Sequence, residues 1–265
     1  MGTGIQSLIS LVCSLILTLG QSPTGPFGGI VSKKPAGGAI TWTFTHLNTK
    51  HSACFDSSAG VKSCAITVTS TTAGNLLVLT ASLFISAAGT ISAPTYTSVT
   101  DTQDGTWTHC GAGTGASIEG AGHAWSFNDC AYVLSAAGGT TTVTFNWTAP
   151  TGTTGNFQDY DVVEVTRSSG TAVVDVQATG VATTCSTACV GPAMSLTGNG
   201  DYVLLFGQFA NTTPSLPGGV WTNPADSSSS TDMVTVGALN QTTNSALTWN
   251  QTSSDSAVMC GISFK

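Results

Sequence analysis

One phrase occurs twice in this chain: Gly74-Asn75-Leu76-Leu77-Val78-Leu79 returns as Gly200-Asp201-Tyr202-Val203-Leu204-Leu205. The stretches C-terminal to each copy are echoed in the same order. Ala131-Tyr132-Val133-Leu134 and then Thr140 to Trp147 are answered by Val236-Gly237-Ala238-Leu239 and then Ala246 to Trp249. Tyr160 to Val165 is answered by Ala257 to Ile262. Short apolar stretches bounded by Gly, Asn, Asp and Thr turns are the signature of strands, and their ordered return is the signature of a repeated unit. The constraint is an all-β, two-copy architecture with the strand spacing of an antiparallel sandwich or barrel, copy one at about 64–168 and copy two at about 191–264.

Composition agrees with strands. Charged residues make up 7% of the chain, against roughly a quarter in ordinary globular domains, so the Lys, Glu and Arg that favour exposed helices are scarce. Period-2 stretches predict strands near 40–46, 64–70, 76–85, 95–100, 106–110, 124–135, 140–148, 159–167, 172–178, 191–197, 201–210, 232–240, 245–250 and 256–264. Within one of them Thr141, Val143, Phe145 and Trp147 share a face, opposite Thr142, Thr144 and Asn146. One face is therefore expected in a core and the other in water. Copy two lacks most of the Gly-rich excursion at 111–123, and such insertions collect in the end loops where binding usually sits.

Residues 1–20 contain an uncharged apolar run, 5–19, of the length of a secretory h-region, with Thr18 and Gly20 as small residues at a cleavage site. The leading Met-Gly-Thr-Gly carries no Lys or Arg, so the alternative is a retained assembly helix with Ile5, Leu8, Ile9, Val12, Ile16 and Leu19 on one face. Residues 21–39 are a Pro/Gly-rich arm and 40–265 the β-sandwich domain. Net charge is −7 with only six Lys and Arg. That excludes the basic surface that nucleic acid or anionic lipid requires, and no membrane insertion is expected after processing.

Of eight cysteines, Cys54 and Cys64 flank a Gly/Ser turn, Cys110 and Cys130 bracket the Gly-rich excursion, and Cys185 and Cys189 lie close in sequence. These are candidate disulfides of an oxidising compartment. Cys260 alternates with Val258, Ile262 and Phe264 in a terminal strand and reads as a buried thiol. Sequons at Asn146, Asn211, Asn240 and Asn250 are possible glycan sites.

Candidate sites are few. Asp161 and Glu164 have opposite strand parity, so they point to different faces and do not form a glycosidase pair; Glu164 reads as a structural, hydrogen-bonded residue. Asp101 and Asp104 form a turn with two carboxylates, a weak calcium candidate that Asx-turn chemistry also explains. The histidines, at 46, 51, 109 and 123, are scattered, and no Gly-x-Ser-x-Gly elbow accompanies them. Trp107, Trp125 and Trp221, with His123, lie near Gly-, Pro- or Asn-rich loops, where an aromatic face beside polar groups can hold a sugar. Trp147 and Trp249 echo each other and read as core. No catalytic residue, metal or cofactor is assigned.

The phrases TTAGNLLVL, VTDTQDGTWT, AGGTTTVTFNW and DVVEV resemble those of duplicated β-sandwich modules in secreted and surface-exposed bacterial proteins and in phage-derived genes. The resemblance covers about residues 64–264. It implies a jelly-roll-like sandwich and an extracellular setting and transfers no catalytic residue. The expected function is a non-enzymatic surface or structural module that binds a glycan or protein partner through its end loops. The alternatives are a self-assembling virion or appendage subunit, a possible homo-oligomer that uses the N-terminal helix and arm, and a glycan-active hydrolase.

Overall fold

The computed structural model describes residues 39–50, 54, 57–110, 116–119, 125–185, 187–198, 200–209, 221–226, 232–241, 248–250 and 255–265. The helix expected at residues 1–20 and nearly all of the arm expected at 21–39 lie outside the described residues. The described chain is all-β, with seventeen strands and no helix, and every pairing is antiparallel.

The first inner sheet holds β1 (Trp42–Lys50), β10 (Thr153–Arg167), β3 (Leu76–Ala87) and β8 (Trp125–Val133), with the short β6 (Thr108–His109) and β7 (Ala116–Glu119) both on β8. The second inner sheet runs β11 (Val174–Cys185), β17 (Asp255–Phe264), β13 (Asp201–Phe209), β15 (Asp232–Gln241) and β14 (Trp221–Asp226). An outer sheet of β2 (Gly60–Thr71), β9 (Gly139–Ala149), β4 (Thr95–Asp101) and β5 (Gly105–Thr106) covers one side of the first inner sheet. A two-stranded sheet, β12 (Ala188–Val190) with β16 (Thr248–Asn250), accompanies the second.

Two layers were expected, and the inner sheets prove to be buried on both faces. Leu77, Leu79, Leu83 and Ile85 of β3 pack with Ile66, Val143, Phe145 and Trp147 of the outer sheet. Leu76 and Val78, on the opposite face of the same strand, pack with Tyr202, Leu204, Phe206, Ile262 and Phe264 of the second inner sheet. The other face of β13 carries Val203, Leu205 and Phe209 into a third core with Met194, Met259 and Cys189. The physical reason stands in the sequence: β3 and β13 begin as unbroken apolar runs, not alternations, and such runs suit strands covered on both sides.

The strands with the echoed phrases hold matching places. β3 lies between β10 and β8, and β13 between β17 and β15. Gly74 and Gly200, which open the two phrases, share a φ of 86°, a left-handed backbone that glycine adopts without steric cost. Gly74 N donates to Ala136 O at 2.8 Å and Gly200 N to Gln241 O at 3.2 Å. One detail departs from the sequence echo. Leu76 pairs with Val165 and Tyr202 with Phe264, so Val165 corresponds in register to Phe264, two residues beyond Ile262. A two-residue shift keeps every side chain on its face, because the strand period is two.

Other boundaries moved too. The strand expected at 191–197 is irregular, with β12 just before it, and the expected 106–110 strand splits into β5 and β6. The strand expected at 172–178 runs from 174 to 185, and β7 and β14 were not foreseen. Disulfides join Cys54–Cys64, Cys110–Cys130 and Cys185–Cys189, and Cys260 is a buried thiol.

Candidate functional site

One end of the inner sheets gathers groups that no sequence motif brings together. Trp42 opens β1 and Arg167 closes β10, and the two are register partners. The Arg167 guanidinium lies 5.5 Å over the indole ring, and its Nη1 donates to Ser169 O. Trp42 Nε1 donates to Gly200 O at 2.7 Å, which ties β1 to the turn that starts β13. Lys265 and Val173 exchange backbone hydrogen bonds of 2.9 and 3.0 Å and carry the β17–β11 pairing to the same end. These segments enclose a pocket of about 300 Å³, lined by Trp42, Arg167, Thr171, Val173, Asp201 and Lys265 among others.

Two carboxyl groups sit at this end in opposite circumstances. Asp175 of β11 receives Lys265 Nζ at 2.6 Å and Thr197 N at 2.7 Å, and the Thr197 hydroxyl as well. Burial would raise its pKa, but the hydrogen bonds from Lys265 and Thr197 outweigh that and hold it well below the usual carboxylate range. Asp201 is fully buried, and its carboxyl lies against Gly198 and within hydrogen-bonding reach of the Asp175 carboxyl. Burial first, and then the neighbouring Asp175 carboxyl, push Asp201 up to about 7. The pair therefore holds one proton, on Asp201, through most of the acid range. Gly198 lies so close that a Cβ there would collide with Asp201 Oδ1.

The corresponding position in the first phrase carries an amide instead. Asn75 donates from Nδ2 to Thr166 Oγ1 at 2.8 Å and to Glu164 Oε1 at 3.1 Å. In the register of β13 with β17, Ser263 and Lys265 stand where Glu164 and Thr166 stand beside β3. Both face other partners: Ser263 Oγ accepts from Val176 N at 3.1 Å, and Lys265 Nζ is engaged by Asp175 and Thr197. A carboxyl has replaced an amide, and with Ser263 and Lys265 engaged elsewhere its partner is the neighbouring Asp175 carboxyl.

The sequence candidates fare differently. Trp107 is 2% exposed and belongs to the first core, so its ring is turned inward and offers no open face to a sugar. Trp125 is half-buried and packs against that same core. The Trp221 backbone belongs to β14, while its side chain, like all of His123, lies outside the described residues. Trp147 is core, 1% exposed; the Trp249 side chain is outside the described residues.

Asp101 Oδ1 accepts from the amides of Gln103 at 3.0 Å, Asp104 at 2.5 Å and Gly105 at 3.0 Å, the Asx-turn arrangement. Asp104 Oδ1 accepts from Ala137 N at 2.7 Å, and burial followed by the Asp101 neighbourhood raises its pKa. These carboxylate oxygens tie turn backbone together. No cluster of three or more His, Cys, Asp or Glu suited to a metal occurs among the described residues. Glu164 accepts from Thr72 N at 2.5 Å and so holds the turn before β3. Asp161, on the opposite face, is fully buried with His46 Nδ1 at 2.8 Å.

His109 and Asp129 form a second, part-buried ion-pair geometry, Nε2 to Oδ1 2.7 Å. The imidazole stacks on Tyr96, with centroids 4.1 Å apart. Burial pushes the Tyr96 phenol up to about 12, so it packs as a neutral ring. Asp129 also accepts from Cys130 N at 2.8 Å, which fixes this arrangement beside the Cys110–Cys130 disulfide.

Asp201, Asp175, Arg167, Lys265 and Trp42 were not among the sequence candidates. The available signal was small: an acid at the start of an otherwise apolar phrase, where the other phrase has Asn75. Comparison with known proteins gives no lead, since no family model matches the chain and no curated protein matches it.

Proposed function

We propose that this chain is a non-enzymatic, extracellular binding module that receives a partner in the end pocket formed by Trp42, Arg167, Thr171, Val173, Asp201 and Lys265. The observation that carries the reading is the pocket of about 300 Å³ itself, formed where Trp42, Arg167, Val173 and Lys265 of four separate segments meet. A concave site with apolar walls and a few convergent charged groups is where a ligand is expected. The location supports end-loop binding, because the pocket lies where the segments before β11 and before β13 meet the ends of β1, β10 and β17. Its charged lining favours a protein partner over a neutral glycan, and Trp42, 3% exposed and covered by Arg167, offers no open ring to a sugar.

Three disulfides support an oxidising, extracellular compartment. No described helix is long and apolar enough to cross a membrane. The matching strand orders and the shared glycine turn support descent from two copies of one unit.

A second reading, assembly of like subunits, draws on the outer sheet. Its solvent face presents Ser63, Thr67 and Thr69 from β2, Thr142, Thr144 and Asn146 from β9, and Ser98 and Thr100 from β4. Hydroxyls both donate and accept, so two such faces can satisfy one another without desolvating a charge. Light scattering of the purified chain tests this, with a monomer at all concentrations the outcome that removes it.

The pocket reading is tested with peptide and glycan arrays probed by the wild-type protein and by Thr171→Trp, which fills the mouth from an exposed position. Array signal that Thr171→Trp abolishes is the expected result. Signal that survives the substitution, or an array without signal, overturns the reading.

A further inference from the structure

We propose that the Cys260 thiol exchanges with the Cys110–Cys130 disulfide, moving a bond that closes a loop on the first inner sheet to one that joins the two inner sheets. Two contacts across the second core place these residues together. Asn128, Cys130 and Tyr132 share one face of β8, and Val258, Cys260, Ile262 and Phe264 share one face of β17. Those faces meet: Asn128 Nδ2 donates to Val258 O at 2.7 Å, and the Tyr132 and Phe264 rings lie 5.7 Å apart, edge to face. The two strands therefore run in the same direction across the core, and Cys130 and Cys260 hold the places between the two contacts. Both cysteines, with Cys110, belong to one buried cluster, each at most 1% exposed. A single asparagine side chain bridges the gap, so the sheets stand closer here than the roughly 10 Å usual for stacked sheets. That brings the backbones toward the Cα separation of roughly 4.4–6.8 Å that a disulfide spans.

The step balances without an outside reagent. The Cys260 thiolate attacks Cys130 Sγ, and the Cys130–Cys260 bond forms as the Cys110–Cys130 bond breaks. Cys110 leaves as a thiolate and takes up the proton that Cys260 gave up. One disulfide and one thiol stand on each side, so nothing is oxidised or reduced overall. Cys130 is the sulfur attacked because it sits on β8 itself, whereas Cys110 follows β6, at the edge of the sheet outside β8, with its amide on Cys130 O at 3.0 Å. The exchange replaces a closure of 20 residues by a bond between β8 and β17, which no backbone pairing connects. The new loop is far longer, and a longer loop constrains the unfolded chain more. The place of one bond thus decides whether the 110–130 loop or the pair of inner sheets is held covalently.

The experiment holds the full chain in mildly alkaline buffer without denaturant, where thiolates form. Samples are quenched in acid with denaturant and N-ethylmaleimide, digested, and mapped by mass spectrometry without reduction. A linked Cys130–Cys260 peptide, with the label on Cys110, is the expected result, and it should grow with time as the Cys110–Cys130 peptide declines. Cys260→Ser should keep Cys110–Cys130 intact throughout. In Cys110→Ser, air oxidation should give Cys130–Cys260 as the dominant product, and where that variant does not fold the wild-type map decides alone. A map in which Cys110–Cys130 persists and the label stays on Cys260 overturns the proposal. A Cys110–Cys260 peptide overturns the choice of Cys130 as the sulfur attacked. Links from Cys260 to Cys54, Cys64, Cys185 or Cys189 in similar yield also overturn the proposal, since they would show scrambling in the unfolded chain.

Discussion

Asp161 of β10 and His46 of β1 meet at 2.8 Å between the inner sheets, the carboxylate wholly buried and the imidazole nearly so. The Asp161 charge reaches Tyr202 on the facing sheet, whose phenol is raised first by burial and then by that carboxylate. The second core is thus apolar at one end and polar at the other, and His46 supports the polar end. Replacing His46 with Leu removes a hydrogen bond to a buried charge and should cost roughly 2–3 kcal/mol. Urea unfolding checks it; a loss under about 0.5 kcal/mol would mean that other partners of Asp161 suffice.

The two-sided burial of β3 predicts equal sensitivity in two cores. Leu79→Ala opens the first core and Leu204→Ala the second, and each should destabilise by roughly 2–5 kcal/mol. If the inner sheets met only loosely, Leu204→Ala would be nearly silent in a thermal melt while Leu79→Ala would not.

The disulfides should differ in worth according to the loops they close. Cys110–Cys130 spans 20 residues and Cys185–Cys189 spans 4. The chain-entropy relation gives about 3.3 and about 1.9 kcal/mol respectively. Paired Cys→Ser variants measured by chemical denaturation should therefore rank Cys110/Cys130 as the larger loss, and the reverse order would show that native-state packing dominates.

Asp201 makes stability depend on pH in an unusual direction for a carboxylate. Its folded value is about 7, while in the unfolded chain it ionises near the ordinary value of about 3.9. Between these limits the native state holds the extra proton, so this residue's contribution falls as pH rises through the window and is fully lost above it. Asp175, with a lowered value, acts oppositely: its contribution is present above the ordinary carboxylate value and disappears as pH falls through its folded one. Melting temperatures of wild type and Asp201→Asn should lie closest below about pH 4 and separate progressively up to about pH 7, the variant the more stable there. Parallel curves across the range would refute the burial of this charge.

Much of the fold was legible because it depends on local chemistry. The turn glycines, the apolar runs and the alternation of Thr141, Val143, Phe145 and Trp147 against Thr142, Thr144 and Asn146 follow from short-range sterics and strand period. The three disulfides were legible for a similar reason, since their partners lie 10, 20 and 4 residues apart. Trp107 was misread because nearness to a Gly-rich loop says nothing about which way a side chain turns. The unbroken run from Leu76 to Leu79 did carry the sign of a doubly covered strand, but not what covers it.

The sequence by itself determined an all-β chain, the turns that start β3 and β13, and the cysteines that close its loops, because each is an interaction between near neighbours. Only the tertiary structure decided that the two inner sheets share a core, and that Trp42, Arg167, Asp175, Asp201 and Lys265 surround one pocket. Those residues are spread over more than two hundred positions, and the strand registers that bring them together are set by burying two apolar faces at once.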